Sequence, residues 1–234
     1  MAGSFSLEGW YILLRWIHVL SGITWIGMLY YFNLVQTPFF ATELGGQAKS
    51  LMTRGLVPNA LWWFRWGAMF TFITGLLILL TKWGHENVPL GSDYMTRILT
   101  GALLGTTMWA NVWFVIWPAQ QVVIANATKV AAGGEADPAA APRGARAGLA
   151  SRTNTLFSIP MLFFMVSASH FNSLGIEKNL TLYWIFTLVL VGVLEANALF
   201  GTGQARQKPL STVSGTIHMG LALTFILFAA LLLL

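Results

Sequence analysis

The sequence predicts an all-α polytopic membrane protein built as a bundle of about six transmembrane helices. Three observations predict it. Only 9% of the residues are charged, against roughly 25% in a soluble globular domain. The chain is 56% hydrophobic, with a mean hydropathy of +0.67. Six apolar stretches qualify by the roughly 20 residues that a helix needs to cross a bilayer. They leave no length for a soluble domain, so residues 1–234 read as one integral membrane helical domain.

The first stretch covers about 9–33. The preceding MAGSFSLEGWY has no basic segment, and no small-residue cleavage site follows the apolar run, so this reads as a retained helix and not a signal peptide. The second, about 60–82, begins just after Pro58, a residue favoured at helix starts. The third, about 96–117, is expected to stop at Pro118. Next comes the longest loop, about 122–152. Its middle, VAAGGEADPAAAPRGARAG, reads as a flexible cytoplasmic linker. The fourth stretch, about 153–171, carries Pro160, which should kink the helix or free the carbonyl near Leu156. The fifth covers about 182–200 and the sixth about 211–234, where the sequence ends in LFAALLLL without a soluble tail. Trp10, Trp83, Trp117 and Tyr183 sit near span ends, as interfacial anchors do.

Loop cations orient the bundle. Lys49, Arg54, Lys129, Arg143, Arg146, Arg152, Arg206 and Lys208 lie in the odd loops; Lys82, Arg97 and Lys178 lie in the even ones. The positive-inside rule places the odd loops in the cytoplasm and both termini outside. The net charge of +5 is thus a topology signal and not a nucleic-acid one. The outer cations are balanced by Glu86, Asp93 and Glu177, which gives no steering field for a diffusing partner.

The chain has no cysteine, which excludes disulfides, thiolate metal sites, iron–sulfur clusters and covalent c-type haem. Histidine remains as the metal-binding side chain. His18, in WIHVLSGITWIG, and His170, in FFMVSASHF, lie in or at the rim of spans on antiparallel helices. An imidazole in hydrocarbon needs a partner, and haem iron is a common one. Arg15 is three residues before His18 on the same face and suits a haem propionate. The expected boundaries leave the two histidines about 10 Å apart in depth, to be closed by tilt and the Pro160 kink. The alternatives are a helix-to-helix hydrogen bond for His18, a snorkelling Arg15 and a solvated His170. His218 suits a second, inner cofactor contact or a proton relay, and His85 is a solvated loop residue and reserve ligand.

Glu195 is the one acid deep in a span, with Arg65 as its expected partner or a proton-relay role as the alternative. Asn111, Gln120 and Gln121 read as polar glue or ligand contacts. Trp62, Trp63, Arg65 and Trp66 form either an interfacial anchor or a rim for a quinone or flat heterocycle. Gly67, Gly75, Gly101 and Gly105 are expected to let helices approach closely.

Four blocks, LLRWIHVLSGITWIGMLYYFNL, VPNALWWFRWGAMFTFITGLLIL, ANVWFVIWPAQQVV and TNTLFSIPMLFFMVSASHF, resemble, in order, the membrane domain of bacterial membrane-bound urate oxidases (urate hydroxylases). The more telling parts are the WWFRW segment and NVWFVIWPAQ. The resemblance implies a haem-linked oxidoreductase domain in the bacterial inner (cytoplasmic) membrane. It implies haem b as cofactor, with His18 and His170 as ligands. It further implies electron transfer to a c-type haem domain, which the family carries at its C-terminus. This sequence contains no CxxCH motif, so that cytochrome c domain is not in it, and the sequence is also shorter than the family's membrane domain. The expected acceptor is therefore a separate c-type cytochrome or another membrane subunit, with a quinone near Trp62, Trp63 and Trp66 as the alternative. A second reading is a non-catalytic accessory subunit of a larger respiratory or photosynthetic complex.

Overall fold

A computed structural model describes residues 6–171 and 179–234. The regular structure of the described residues is helical throughout. Six long helices follow one another: Leu7–Phe40, Glu43–Gly84, Asp93–Ala131, Ala140–His170, Leu180–Leu199 and Val213–Leu233. A 3₁₀ segment, Ala205–Ser211, links the last two. Sequence chemistry sets several starts. Ser6, Thr42, Ser92, Asn179 and Thr212 each accept, through the side chain, the backbone N–H three residues on. Such caps satisfy donors that the first helical turn leaves open.

All but the fourth helix are long and apolar enough to cross a membrane. The fourth carries the span expected at 153–171 and is the least apolar of the six because it lies in the middle. It packs on the first, third, fifth and sixth helices. A helix sheathed by protein need not match lipid, provided its polar groups are satisfied within the bundle. Thr153, Thr155, Ser158 and Ser167 are buried and donate to backbone carbonyls of their own helix. The outer helices do the reverse. Ile12, Trp16, Ile23, Ile185, Val189, Phe225 and Leu233 point outward. The inner surfaces meet in one core that includes Trp25, Leu29, Phe64, Leu104, Met108, Phe157, Phe164 and Leu227.

Several expected boundaries are corrected. The second helix begins at Glu43 and runs through Pro58. At 1.5 Å per residue it is about 63 Å long, so its first turns project past the hydrocarbon. The third helix does not stop at Pro118 but continues to Ala131. It does so through a π-helical stretch, Asn111–Ile116, directly before Trp117 and Pro118. The first helix repeats the device: Tyr31–Gln36 is π-helical, directly before Thr37 and Pro38. In each case the residue before proline donates five residues back, Thr37 to Phe32 and Trp117 to Val112. The wider turn gives the ring room and lets the residue before it keep a backbone acceptor. The linker expected over 122–152 is also largely helical, and only residues 132–139 separate the third helix from the fourth.

Close approaches fall where small residues were noted. A Cβ on Gly67 would lie 3.0 Å from the Trp25 nitrogen and 3.2 Å from the Ser21 carbonyl, so the second helix rests backbone-to-backbone on the first. Gly101 stands similarly close to the Met161 carbonyl, whereas Gly105 has room. Pro160 lies inside a continuous fourth helix. The Leu156 carbonyl, whose helical donor would be Pro160, faces Gly220, where a Cβ would sit 2.9 Å from it.

Candidate functional site

The expected ligands come first. His18 lies between the first and second helices. Its Nδ1 is 3.2 Å from Thr74 Oγ1, and its ring lies against Gly75, where a Cβ would sit 3.0 Å from Cε1. The Thr74 hydroxyl already donates to the Phe70 carbonyl at 2.6 Å. With that proton committed, the hydroxyl is placed to accept from a His18 that carries its proton on Nδ1, the tautomer that leaves Nε2 open to a ligand. His170 closes the fourth helix with Nδ1 2.9 Å from the Val166 carbonyl. A carbonyl only accepts, so Nδ1 carries a proton there too. His170 is exposed and borders an apolar groove of about 400 Å³ formed by Leu162, Phe163, Val166, Ser167 and Phe171.

The two histidines are better matched in depth than the boundaries suggested. Tyr30 and Ser158 join the first and fourth helices by a 2.9 Å hydrogen bond. His18 precedes Tyr30 by twelve residues and His170 follows Ser158 by twelve, so each lies about 18 Å from that bond. Direction separates them: His18 turns to the second helix, and His170 turns back on its own. Arg15 is exposed, with its guanidinium 5.8 Å from the Tyr11 ring centre. His218, also exposed, has Nδ1 2.7 Å from the Ser214 carbonyl on its own helix. His85 is exposed in the loop after the second helix. Among the described residues, no group of three or more His, Asp or Glu side chains could hold a metal ion.

The densest polar arrangement lies elsewhere, against the first half of the fourth helix. Asn154, fully buried, donates to the Met108 carbonyl at 2.9 Å. Its Oδ1 accepts from Asn111 at 2.9 Å, and the same Asn111 amide donates to Glu195 Oε2 at 3.0 Å. Asn33 donates to Ser151 Oγ at 2.7 Å and to the Leu29 carbonyl. Asn33 and Asn111 both sit in the π-helical stretches. Each stretch thus aims one amide at the central helix, which ties the first, third, fourth and fifth helices together. The expected Arg65–Glu195 pair is not formed. Arg65 stacks on Trp117, with 3.7 Å between guanidinium and ring centre, while Glu195 takes the Asn111 amide.

Trp66 packs edge-on against Trp113 at 5.6 Å, and Phe72 stacks on Trp109 at 4.2 Å. Trp109, Trp113 and Trp117 recur every four residues and form one aromatic seam with the second helix. Trp62 and Trp63 lie outside the seam, exposed.

Sequence reasoning missed two residues. Asn154 stood in a run of small polar residues with nothing to mark it; its partners are 43 and 46 positions away. Arg97, counted as an outer-loop cation, is 1% exposed. It donates to the Ser167 and Phe171 carbonyls at 3.2 and 3.0 Å and lies 3.8 Å from Asp93. A cation there meets the negative end of the fourth helix. The other expected outer-loop charges, Glu177 and Lys178, lie outside the described residues.

A protein-family model described as urate oxidase N-terminal matches residues 82–229. The match takes in the third to sixth helices with Asn111, Asn154, His170, Glu195 and His218; His18 precedes it. No curated protein and no solved structure matches the chain.

Proposed function

The chain belongs to the urate oxidase N-terminal family, and on that premise we propose that it is the electron-transfer membrane module of a urate oxidase-like system. In this reading it resides in a bacterial inner membrane with both termini outside. It binds haem b through Nε2 of His18 and of His170. Bound haem supplies one-electron transfer; the chain's part is to hold it, shield it and orient its donors. The observation that carries the reading is the Nδ1 hydrogen bond of both histidines. Each commits Nδ1–H to a neighbour and keeps Nε2 for a ligand, as metal-binding imidazoles do, at about the same depth. The apolar groove beside His170 suits the face of a flat macrocycle. Electrons would leave to a c-type cytochrome or a second membrane subunit on the outer face. A quinone near Trp62, Trp63 and Trp66 is the other acceptor chemistry.

The experiment is an optical spectrum of the protein purified in mild detergent. A low-spin haem b α-band is expected, lost in His18→Ala and in His170→Ala. Pigment-free wild-type protein overturns the reading. A band that survives in one variant removes that histidine from the ligand set.

The divergent directions of the two rings favour a second reading, an accessory subunit without cofactor. Its polar centre, Asn111, Asn154 and Glu195, would serve as helix glue. Pigment-free protein that co-purifies with a larger membrane complex would support it.

A further inference from the structure

We propose that the cleft between the fourth helix and the connection from the fifth to the sixth is a binding site for the phosphate group of an anionic phospholipid. The cleft measures about 480 Å³ and is lined on one wall by Gly148 and Arg152 and on the other by Gly203, Gln204, Lys208 and Ser211. Both charged residues in the lining are cations, and no acid lines it. It opens at the end of the bundle where eight of the loop cations gather, the level at which headgroups lie. A bare ion fills only tens of Å³. A cleft in the size range of small-molecule sites suits a phosphoglycerol group with its phosphate between two cations.

The cleft walls are held in place. Arg152 Nη1 donates to the Leu210 carbonyl at 2.7 Å, which pins the guanidinium across the cleft. Gln207 is buried and donates to the Asn197 and Gly201 carbonyls at 2.8 and 3.2 Å, while the Gln204 and Gln207 side chains cap the 3₁₀ segment reciprocally. Gly201 and Gly203 take φ of +80° and +73°, where only glycine is unstrained. The connection therefore has one shape and is not a loose tether, so binding loses little to ordering. This inference does not depend on haem, and its test reads no pigment.

The test is native mass spectrometry of the full chain released from mild detergent with dioleoyl phosphatidylglycerol, dioleoyl phosphatidylcholine or inorganic phosphate. One phosphatidylglycerol should be retained, with phosphatidylcholine held at least about tenfold more weakly. Lys208→Gln should weaken retention about fivefold. Gly148→Phe should abolish it, because Gly148 lines the cleft and a Cβ there meets nothing within 4 Å, which leaves the added ring the cleft to occupy. Arg143→Gln, exposed and outside the lining, should change nothing. Because Arg152→Gln removes a structural bond as well as a charge, the decision rests on Lys208→Gln and Gly148→Phe. Equal retention of both lipids overturns the proposal, as does retention unchanged in both of those variants. If inorganic phosphate binds as tightly as the lipid and displaces it, the lipid assignment is overturned in favour of a soluble phosphate.

Discussion

Arg97 shows how a charge becomes structure. Its guanidinium is buried, bonded to two carbonyls at the end of the fourth helix and 3.8 Å from Asp93. Replacing it with Met leaves those carbonyls and a carboxylate without their cation, a loss on the order of 3 kcal/mol. A drop in Tm for Arg97→Met, against a near-neutral Lys49→Met on the exposed surface, checks this. Asn154 is the polar counterpart. Asn154→Leu strands the Met108 carbonyl and part of the Asn111 amide, and about 2 kcal/mol should be lost. Asn154→Asp should be no better, because it brings a second acid towards Glu195 through the shared Asn111. Wild-type thermal stability in Asn154→Leu would remove Asn154 from the tie between the third, fourth and fifth helices.

Helices in this bundle meet where glycine lets them. Gly220 faces the Leu156 carbonyl and the Ile159 side chain, so Gly220→Val drives a branched side chain into both. The sixth helix should separate from the fourth, with a loss of more than about 2 kcal/mol. Gly46→Val, where a Cβ meets nothing within 4 Å, is the control. Limited proteolysis that cuts between the fifth and sixth helices only in Gly220→Val would show the separation. At the other end of the bundle, Lys82 bonds Glu86 and lies 4.9 Å from the Tyr11 ring centre and 5.9 Å from that of Tyr94. That clasp joins the first three helices outside the hydrocarbon. The Lys82 partner holds the Glu86 carboxyl below its usual range. A carboxyl depressed on folding stabilises the native state above its unfolded pKa, and that contribution is lost as pH falls through the folded value. Stability should therefore fall on acidification below about pH 4.5, by an amount that solvent screening of this exposed pair keeps small. Glu86→Gln should remove that increment and leave the rest of the pH profile unchanged. Melting curves of the two proteins between pH 6 and 3 decide it.

Orientation belongs to the bundle as a unit. The loop cations predict the 132–139 connection inside and both termini outside. A protease added to intact spheroplasts should not cut at Arg143 or Arg146; cleavage there reverses the topology. Association follows from the surface. The outer helices expose long apolar rows, among them Ile185, Val189 and Val193 on the fifth, and the outer loops are near neutral. A stable complex held by apolar helix faces is expected, not a diffusive encounter. Gentle solubilisation and a native gel should show a co-migrating membrane protein or cytochrome. A lone monomer that still turns over urate with a soluble acceptor overturns the subunit arrangement.

Composition and apolar run length determined the membrane class and the positions of the helices, because matching hydrocarbon is a local property of about 20 consecutive residues. They also located the helix-breaking chemistry at Pro118 and Pro160. They did not determine what these prolines do: each is absorbed inside a longer helix, Pro118 after a π-helical turn, since neighbouring helices can satisfy the backbone that proline disturbs. The histidines were legible as residue types of interest. The direction of His18 was decided by a partner far off in sequence, Thr74 across 56 positions, whereas His170 turns to Val166 on its own helix. The polar centre was legible only in part: Asn111 reads as polar glue and Glu195 as the one acid deep in a span, but nothing in the sequence says that they meet. Asn154 has no local mark, and Glu195 was assigned to Arg65 because opposite charges attract in any sequence; packing instead gave Glu195 an amide and Arg65 an indole. The fourth helix is the general case. Its low hydropathy made it the least apolar of the spans, and only the tertiary structure shows why, since a helix wrapped by four others is solvated by protein and not by lipid.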